Sequence, residues 1–217
     1  MPKLTIAVAK GRLQNEALAL LEAAGAAVSS AALSSRRLAV EDQAGNYRLI
    51  FVKPADVPVY VEHGIADCGV VGRDILLESG TDLLQPLTLE IGRCRIVVAG
   101  PADLSLSDRG MLRVATKYPR IAAAHFGAQG RPVEIIELSG SVELAPFLGL
   151  ADCIVDLVET GGTLRANGLQ EIEVIGVSTG RLVVNRASYQ LKGEAIGELL
   201  SALKATSSKE LEIQRSS

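Results

Sequence analysis

The residues best suited to chemistry lie between Val155 and Leu164, Val-Asp-Leu-Val-Glu-Thr-Gly-Gly-Thr-Leu: an apolar run containing one acid, then small hydroxyl and glycine residues. Ile154, Val155, Leu157 and Val158 suit a strand covered on both faces, which leaves Asp156 as its single charge. Thr160-Gly161-Gly162-Thr163 lets backbone N–H groups converge with no Cβ in the way. Leu164-Arg165-Ala166-Asn167 followed by Gly168 reads as a short helix with its stop signal. Free amides and hydroxyls at the start of a helix attract a phosphate dianion, and an acid at the carboxyl end of the strand can hydrogen-bond sugar hydroxyls. Gly-Gly-Thr alone also fits an ordinary strand-to-helix turn with a Thr cap. Asp156, Glu159, Thr160 and Thr163 together point to phosphate and ribose.

Other strand ends must complete such a site. Leu4 to Ala9 is a short apolar strand, and an amphipathic helix follows from about Asn15 to Ala24, stopped by Gly25. Lys10, Gly11 and Arg12 therefore sit on a strand-to-helix loop, where open α/β sheets hold ligands; the plainer alternative is a solvated turn with two surface cations. Strands at Arg37 to Glu41 and Tyr47 to Val52 make a hairpin closed by Lys53. A helix at Val57 to Glu62 leads to Gly64, and Cys68 to Val71 is a buried strand ending in Gly72-Arg73-Asp74. Leu83 to Leu89 and Cys94 to Ala99 are strands long enough to cross to a second lobe. That lobe repeats the alternation: strand Leu112 to Thr116, helix Pro119 to Ala128, strand Val133 to Leu138, helix Val142 to Leu148. Ser139-Gly140-Ser141, ahead of Glu143, is a second small-residue loop, with a helix cap as its alternative. Strands at Glu173 to Val177 and Leu182 to Val184 lead back, and Ala187 to Lys204 is a helix.

The recurrence has an echo in the residues themselves. Gly64-Ile-Ala-Asp-Cys68 and Gly149-Leu-Ala-Asp-Cys153 each join a helix to an apolar strand, and Lys10-x-Arg12 and Lys117-x-x-Arg120 each follow an opening strand. The expected architecture is α/β, two similar lobes with a cleft between them, like type II periplasmic binding proteins. Residues 1–92 with 179–205 form the first lobe, 93–178 the second, and 206–217 a polar tail.

Composition narrows the function. At 217 residues and 48% hydrophobic the chain can bury a substantial core. A net charge of −3, four Tyr, three Phe and no Trp argue against nucleic-acid binding, so a polyanionic ligand must be met by a local cluster of cations. No basic-then-apolar leader opens the sequence and no run approaches the roughly 18 apolar residues of a membrane helix, which predicts a cytoplasmic protein with no membrane partner. Cys68, Cys94 and Cys153, each in or beside an apolar strand, read as buried small hydrophobes without disulfide or zinc. Gly176-Val-Ser178-Thr-Gly180 matches the nucleophile-elbow pattern, but strand-like residues follow it and His63 and His125 both precede it, so a bend is the better reading. Both histidines read as structural. Neither a Walker loop nor Gly-x-Gly-x-x-Gly is present.

The chemistry-bearing stretch also has a family resemblance. Glu143, Gly149, Ala151, Ile154, Asp156, Leu157, Thr160, Gly161, Thr163 and Leu164, at these spacings, resemble the signature of the ATP phosphoribosyltransferase family. Ala9-Lys10-Gly11-Arg12, Pro54 to Pro58, Gly64 to Asp74, Ala115 to Pro119 and Val184 to Tyr189 resemble further blocks of that family, so the likeness spans nearly the whole chain. Lys53 stands where the family has Arg, keeping the charge but not the bidentate fork, and Gly162 where it often has a larger residue.

The resemblance implies transfer of the 5-phosphoribosyl group of phosphoribosyl pyrophosphate to N1 of the adenine of ATP, releasing pyrophosphate, as the first step of histidine biosynthesis. It implies catalytic roles for Lys10, Arg12 and Asp156, and substrate contacts from Gly11, Lys53, Arg73, Ser139, Gly140, Ser141, Glu143, Glu159, Thr160, Gly161, Gly162 and Thr163. Mg2+ is expected to arrive on the substrate rather than on protein ligands. The length resembles the family's short form, without a C-terminal regulatory domain. That form implies a homodimer joined in a hetero-oligomer to a regulatory subunit resembling histidyl-tRNA synthetase. The alternative from another class is a two-lobed binder of a small anion or nucleotide with no catalytic activity.

Overall fold

The computed structural model describes residues 2–35, 37–106 and 110–215. It divides into two compact units, Met1–Gly92 with Thr179–Ser217, and Arg93–Ser178. The chain passes between them inside two long strands.

The first unit opens with β1 (Leu4–Ala9) and α1 (Gln14–Ala23), continues through the short α2 (Ser30–Leu33), and then forms β2 (Ala39–Glu41) and β3 (Tyr47–Val52). After a 3-10 turn at Pro54–Asp56 come α3 (Val57–Glu62), β4 (Cys68–Gly72), α4 (Arg73–Ser79) and β5 (Leu84–Pro101), whose second half lies in the other unit. The strand order here is β2-β3-β1-β4 followed by the returning strand β9 (Leu169–Val184). β1 is parallel to both β3 and β4, while β2 runs antiparallel to β3 and β9 antiparallel to β4. Alternation along β1 covers both faces of the sheet. Ile6 and Val8 pack with Leu20, Leu21, Leu182 and Ile196 on one side, Ala7 and Ala9 with Val57, Val61 and Leu76 on the other.

The second unit holds the latter part of β5, then β6 (Leu112–Thr116), α5 (Pro119–Ala128), β7 (Val133–Glu137), α6 (Leu144–Phe147), β8 (Cys153–Val158), α7 (Gly162–Ala166) and the start of β9. Its order is β5-β8-β6-β7, with β6 parallel to β7 and β8 and β5 antiparallel to β8.

The internal repeat extends to strand register. In the first unit Ile6, the third residue of β1, pairs with Cys68, and in the second Val114, the third of β6, pairs with Cys153. Gly64 and Gly149 both turn the chain at positive φ, +69° and +72°, a conformation that glycine adopts without a Cβ penalty. The aspartates after them do the same work. Asp67 N–H donates to the Thr5 carbonyl and its Oδ2 accepts from Thr5 N–H, each at 2.8 Å; Asp152 makes the equivalent pair with Arg113, each at 2.8 Å. The cysteines that follow lie within the sheets, where burial above all pushes both the Cys68 and the Cys153 thiol up to about 12. Lys10 and Lys117 each stand directly after an opening strand, but β1 is one residue longer than β6, so register places them one position apart.

Asp67 carries more. It is buried and also accepts from Ser188 Oγ at 2.7 Å and Lys192 Nζ at 2.8 Å, fixing the end of α8 (Arg186–Leu191) to β1 and β4. We expect Asp67→Ala, which leaves a buried N–H, a hydroxyl and an ammonium without their acceptor, to lower unfolding free energy by about 3 kcal/mol. Urea titration measures this.

Five elements differ most from the sequence reading. β5 and β9 are each one long strand where shorter pieces are expected, because Gly92 and Gly180 look like breaks yet are held in the sheet. The Gly176–Gly180 stretch therefore continues as strand and is neither an elbow nor a bend. Helix Ala187 to Lys204 is two helices, α8 and α9 (Gly193–Arg215), interrupted where Lys192 turns to Asp67 and the Lys3 carbonyl ahead of Gly193. The polar tail 206–217 is helical to Arg215, since Lys209, Glu210, Leu211, Glu212, Gln214 and Arg215 all favour helix; Ser216 and Ser217 lie outside the described residues. α6 is a single turn, shorter than Val142 to Leu148. No described helix is long and apolar enough to cross a membrane.

Candidate functional site

Parallel strands put their carboxyl ends, and the loops after them, on one edge of each sheet. In the first unit that edge is cationic. Lys10 follows β1 and Lys53 follows β3, and Lys10 N–H donates to the Val52 carbonyl at 2.9 Å, so the two lysines stand at adjacent strand ends. Arg73, read from sequence as a loop residue, is the first residue of α4 directly after β4. Beside it is Arg181 of β9, whose guanidinium is held below its usual value by burial and then by Arg73, with Glu90 opposing. Arg181 escapes sequence reasoning because it lies within a strand, and only the antiparallel pairing of Gly72 with Gly180 brings it to this edge. Gly11 has φ +89° in the loop. Arg12 Nη1 donates to the Gly92 carbonyl and Glu16 Oε2 accepts from Gly92 N–H at 3.0 Å, so Arg12 is tied to the residue at which β5 leaves the unit.

The corresponding edge of the second unit carries acids, hydroxyls and glycines. Asp156 is buried in β8, its Oδ1 accepting from Leu157 N–H at 2.8 Å. Burial is the main cause that raises its pKa; the Leu157 amide and Lys117 pull it down, and Glu143 pushes it up. The structure thus gathers Asp156, Glu143 and Lys117. Lys117 is the residue missed in the sequence as a site candidate, although its likeness to Lys10 marked it. Thr116 Oγ1, which donates to the Val155 carbonyl at 2.6 Å and accepts from Tyr118 N–H at 2.9 Å, holds the β6 end against β8 beneath them.

After β8, Glu159 and Thr160 lead to Gly161 at φ +75°, with α7 starting at Gly162. Thr160, Gly162 and Thr163 are exposed, while Gly161 is buried against the Arg165 and Glu171 side chains and Leu164 in the second unit's core. Ser139, Gly140 and Ser141 are also exposed, and Ser141 at φ +49° is the one non-glycine residue with positive φ among those described. A serine in that region stores about 1–2 kcal/mol of strain, which functional loops tolerate more than structural ones. Neither serine caps α6 through its side chain.

The histidines have structural partners. His63 Nδ1 lies 3.0 Å from the Val59 carbonyl, and His125 lies 3.3 Å from Glu173 Oε2. Among the described residues no group of three or more His, Cys, Asp or Glu is gathered that could hold a metal ion.

Two α/β units joined by two strands, one with a cationic edge and the other with an edge carrying an acid and a glycine-hydroxyl turn, define a periplasmic-binding-protein-like fold. The aliphatic sulphonate binding protein SsuA of Escherichia coli shares that fold, with a TM-score of 0.61 at 14% identity over 100% of this chain and 76% of its own. The chain belongs to the ATP phosphoribosyltransferase family: the family model described as HisG, ATP phosphoribosyltransferase, matches residues 53–205. The ATP phosphoribosyltransferase of Sorangium cellulosum is 50% identical over 202 residues, covering 93% of this chain and 95% of the relative. The solved ATP phosphoribosyl transferase (HisG:HisZ) complex from Thermotoga maritima contains a chain that superposes with a TM-score of 0.82 at 37% identity, covering 93% of this chain and 97% of that one.

Proposed function

We propose that the chain is an ATP phosphoribosyltransferase, joining C1 of phosphoribosyl pyrophosphate to N1 of the adenine of ATP and releasing pyrophosphate, the first step of histidine biosynthesis. The observation that carries this is 50% identity to an enzyme of that name over 93% of the chain. The family-like residues Glu143, Asp156, Thr160, Gly161 and Thr163 also fall on one edge of one unit.

The chemistry explains the residue types. Adenine N1 already has a lone pair, so no strong base is needed to form the N1–C1 bond. The difficulty lies in the electron pair of the breaking C1–O bond, which departs with pyrophosphate from an oxocarbenium-like centre. In this reading Glu159, Thr160, Gly161, Gly162 and Thr163 hold the 5-phosphate, and Asp156 accepts hydrogen bonds from the ribose hydroxyls. Ser139, Gly140, Ser141 and Glu143 contact the nucleotide. Lys10, Gly11, Arg12, Lys53 and Arg73 meet pyrophosphate or the ATP phosphates, with Lys117 and Arg181 as further cations in this reading. Mg2+ would arrive on the phosphate oxygens of the substrate, with water completing its ligands. Such an ion supplies charge neutralisation at the leaving pyrophosphate.

The relative from Thermotoga maritima was solved as a HisG:HisZ complex, which supports a regulatory partner for this chain in a hetero-oligomer; self-association as a dimer is part of the same proposal. Both substrates are cytoplasmic metabolites, which supports a cytoplasmic enzyme. Ultraviolet absorbance of the chain with ATP, phosphoribosyl pyrophosphate and Mg2+, alone and with the candidate regulatory subunit, tests the reading: N1-substituted adenine is expected, and its absence in both conditions despite ligand binding contradicts it. Arg12→Ala is expected to lower kcat/KM by about tenfold through lost phosphate contact. Unchanged kinetics would make Arg12 a structural residue at the Gly92 carbonyl.

A further inference from the structure

A chain of charged side chains lies along the turn after β8, formed by residues with no assigned part in the reaction. Arg95 sits on β5 opposite Val158, the last residue of β8 before the turn. It meets Glu171, near the start of β9, as a fork: Nε donates to Oε2 at 3.1 Å and Nη2 to Oε1 at 2.6 Å. Glu171 also feels the charge of Arg165 on α7. Arg165 Nη1 in turn donates to the Thr160 carbonyl at 3.2 Å. Gly161 lies against both groups: a Cβ added there would stand 2.9 Å from Arg165 Nη1 and 3.4 Å from Glu171 Oε1.

Stability alone does not account for a network that reaches the turn. Arg95 and Glu171 side chains are 39% and 29% exposed, the range in which ion pairs contribute little to folding. Its geometry has another consequence. In a trans peptide unit the C=O and the next N–H point in opposite directions. Fixing the Thr160 carbonyl on Arg165 therefore aims the Gly161 N–H to the opposite face of the turn. Arg165 and Glu171 both close on Gly161, and the Arg95 fork holds Glu171 in one orientation, which a lysine could not do.

We propose that Arg95, Glu171 and Arg165 are positioning residues that fix the Thr160–Gly161 peptide so that its N–H is presented to the 5-phosphate of phosphoribosyl pyrophosphate. This rests on the reading of the turn given under Proposed function, so its test includes a variant of the turn itself.

Full-chain variants Arg95→Lys, Glu171→Gln, Arg165→Met, Arg165→Lys and Thr163→Ala are compared under conditions in which the wild-type chain turns over. Ribose 5-phosphate affinity, measured by calorimetry, serves as a direct readout. The expected result for Arg95→Lys, Glu171→Gln and Arg165→Met is a rise of about tenfold in KM for phosphoribosyl pyrophosphate and in Kd for ribose 5-phosphate, with KM for ATP within about twofold and melting temperature unchanged. Arg165→Lys, which keeps a donor for the Thr160 carbonyl, recovers much of the loss. If Thr163→Ala weakens phosphoribosyl pyrophosphate while the three network variants do not, the network proposal is overturned and the turn reading survives. If none of them, Thr163→Ala included, changes either constant, the turn reading falls as well. Equal losses for both substrates, or a lowered melting temperature, would make the network structural and also overturn the proposal.

Discussion

Asp156→Asn is expected to lower kcat/KM by about a thousandfold while leaving the fold as stable as before or more so. The activity loss follows from the proposed ribose contacts: two hydrogen bonds to a charged acceptor are together worth about 3–6 kcal/mol, and each 1.4 kcal/mol is about tenfold in rate. The stability gain follows from burial. Asp156 has its pKa raised in the folded state, mainly by burial, so the favourable linkage from its protonated form is fully present below its unfolded pKa and is lost as pH rises through the folded value. At neutral pH the ionised side chain is a net cost that asparagine does not carry. Asp156→Ala should be equally inactive, but without the gain, because it leaves the Leu157 amide without its acceptor. The acid limb of kcat/KM against pH should lie above the ordinary aspartate range, and Lys117→Met should move it further up, since Lys117 holds that pKa down. An Asp156→Asn enzyme that is fully active removes Asp156 from the site, and one that is inactive only because it has unfolded contradicts the electrostatic account.

Gly161→Ala is the second large effect. At φ +75° an alanine pays about 1–2 kcal/mol of backbone strain, and its Cβ would press on Arg165 Nη1 at 2.9 Å. The strain alone changes stability modestly. The added Cβ moves the flexible end of Arg165 off the Thr160 carbonyl, and this release of the turn together with the backbone strain is expected to lower kcat/KM for phosphoribosyl pyrophosphate by about a hundredfold. Gly168→Ala is the matched control: Gly168 has φ +71°, so the backbone penalty is alike, yet nothing lies within 4 Å of the added Cβ. Comparable stability losses with activity lost only in Gly161→Ala are expected. Equal activity in the two variants would detach the turn from phosphate recognition.

What the sequence disclosed and what it withheld divide along physical lines. β8, its turn and α7 were legible because an unbroken apolar run, a cluster of small residues and a stop glycine are all local signals. Pro119 and Ala128 bound α5 as expected for the same reason. The repeat was legible through Gly-x-Ala-Asp-Cys, since a positive-φ glycine and a buried aspartate can hardly be replaced at their positions. Arg181, Lys117 as a neighbour of Asp156, and the Arg95–Glu171 fork were not legible. Each depends on strand register between residues far apart in the chain, and no periodicity in a single sequence records register. Lys192 likewise breaks a helix because Asp67 holds it, a tertiary cause that overrides local helix preference. Family resemblance supplied what residue chemistry alone did not: the acceptor. An acid, a glycine turn and cations suit many phosphoribosyl transfers, and adenine N1 enters through the family.

That acceptor is the central claim, and bond connectivity in the product tests it most directly. The chain, with its regulatory subunit if turnover requires it, is incubated with Mg2+, ATP labelled with 15N at N1 and phosphoribosyl pyrophosphate labelled with 13C at C1, and the product is followed by NMR. A one-bond coupling between the labelled carbon and N1, appearing together with released pyrophosphate, is the predicted result. Pyrophosphate release without that coupling, or a carbon bonded to another acceptor, would contradict the account.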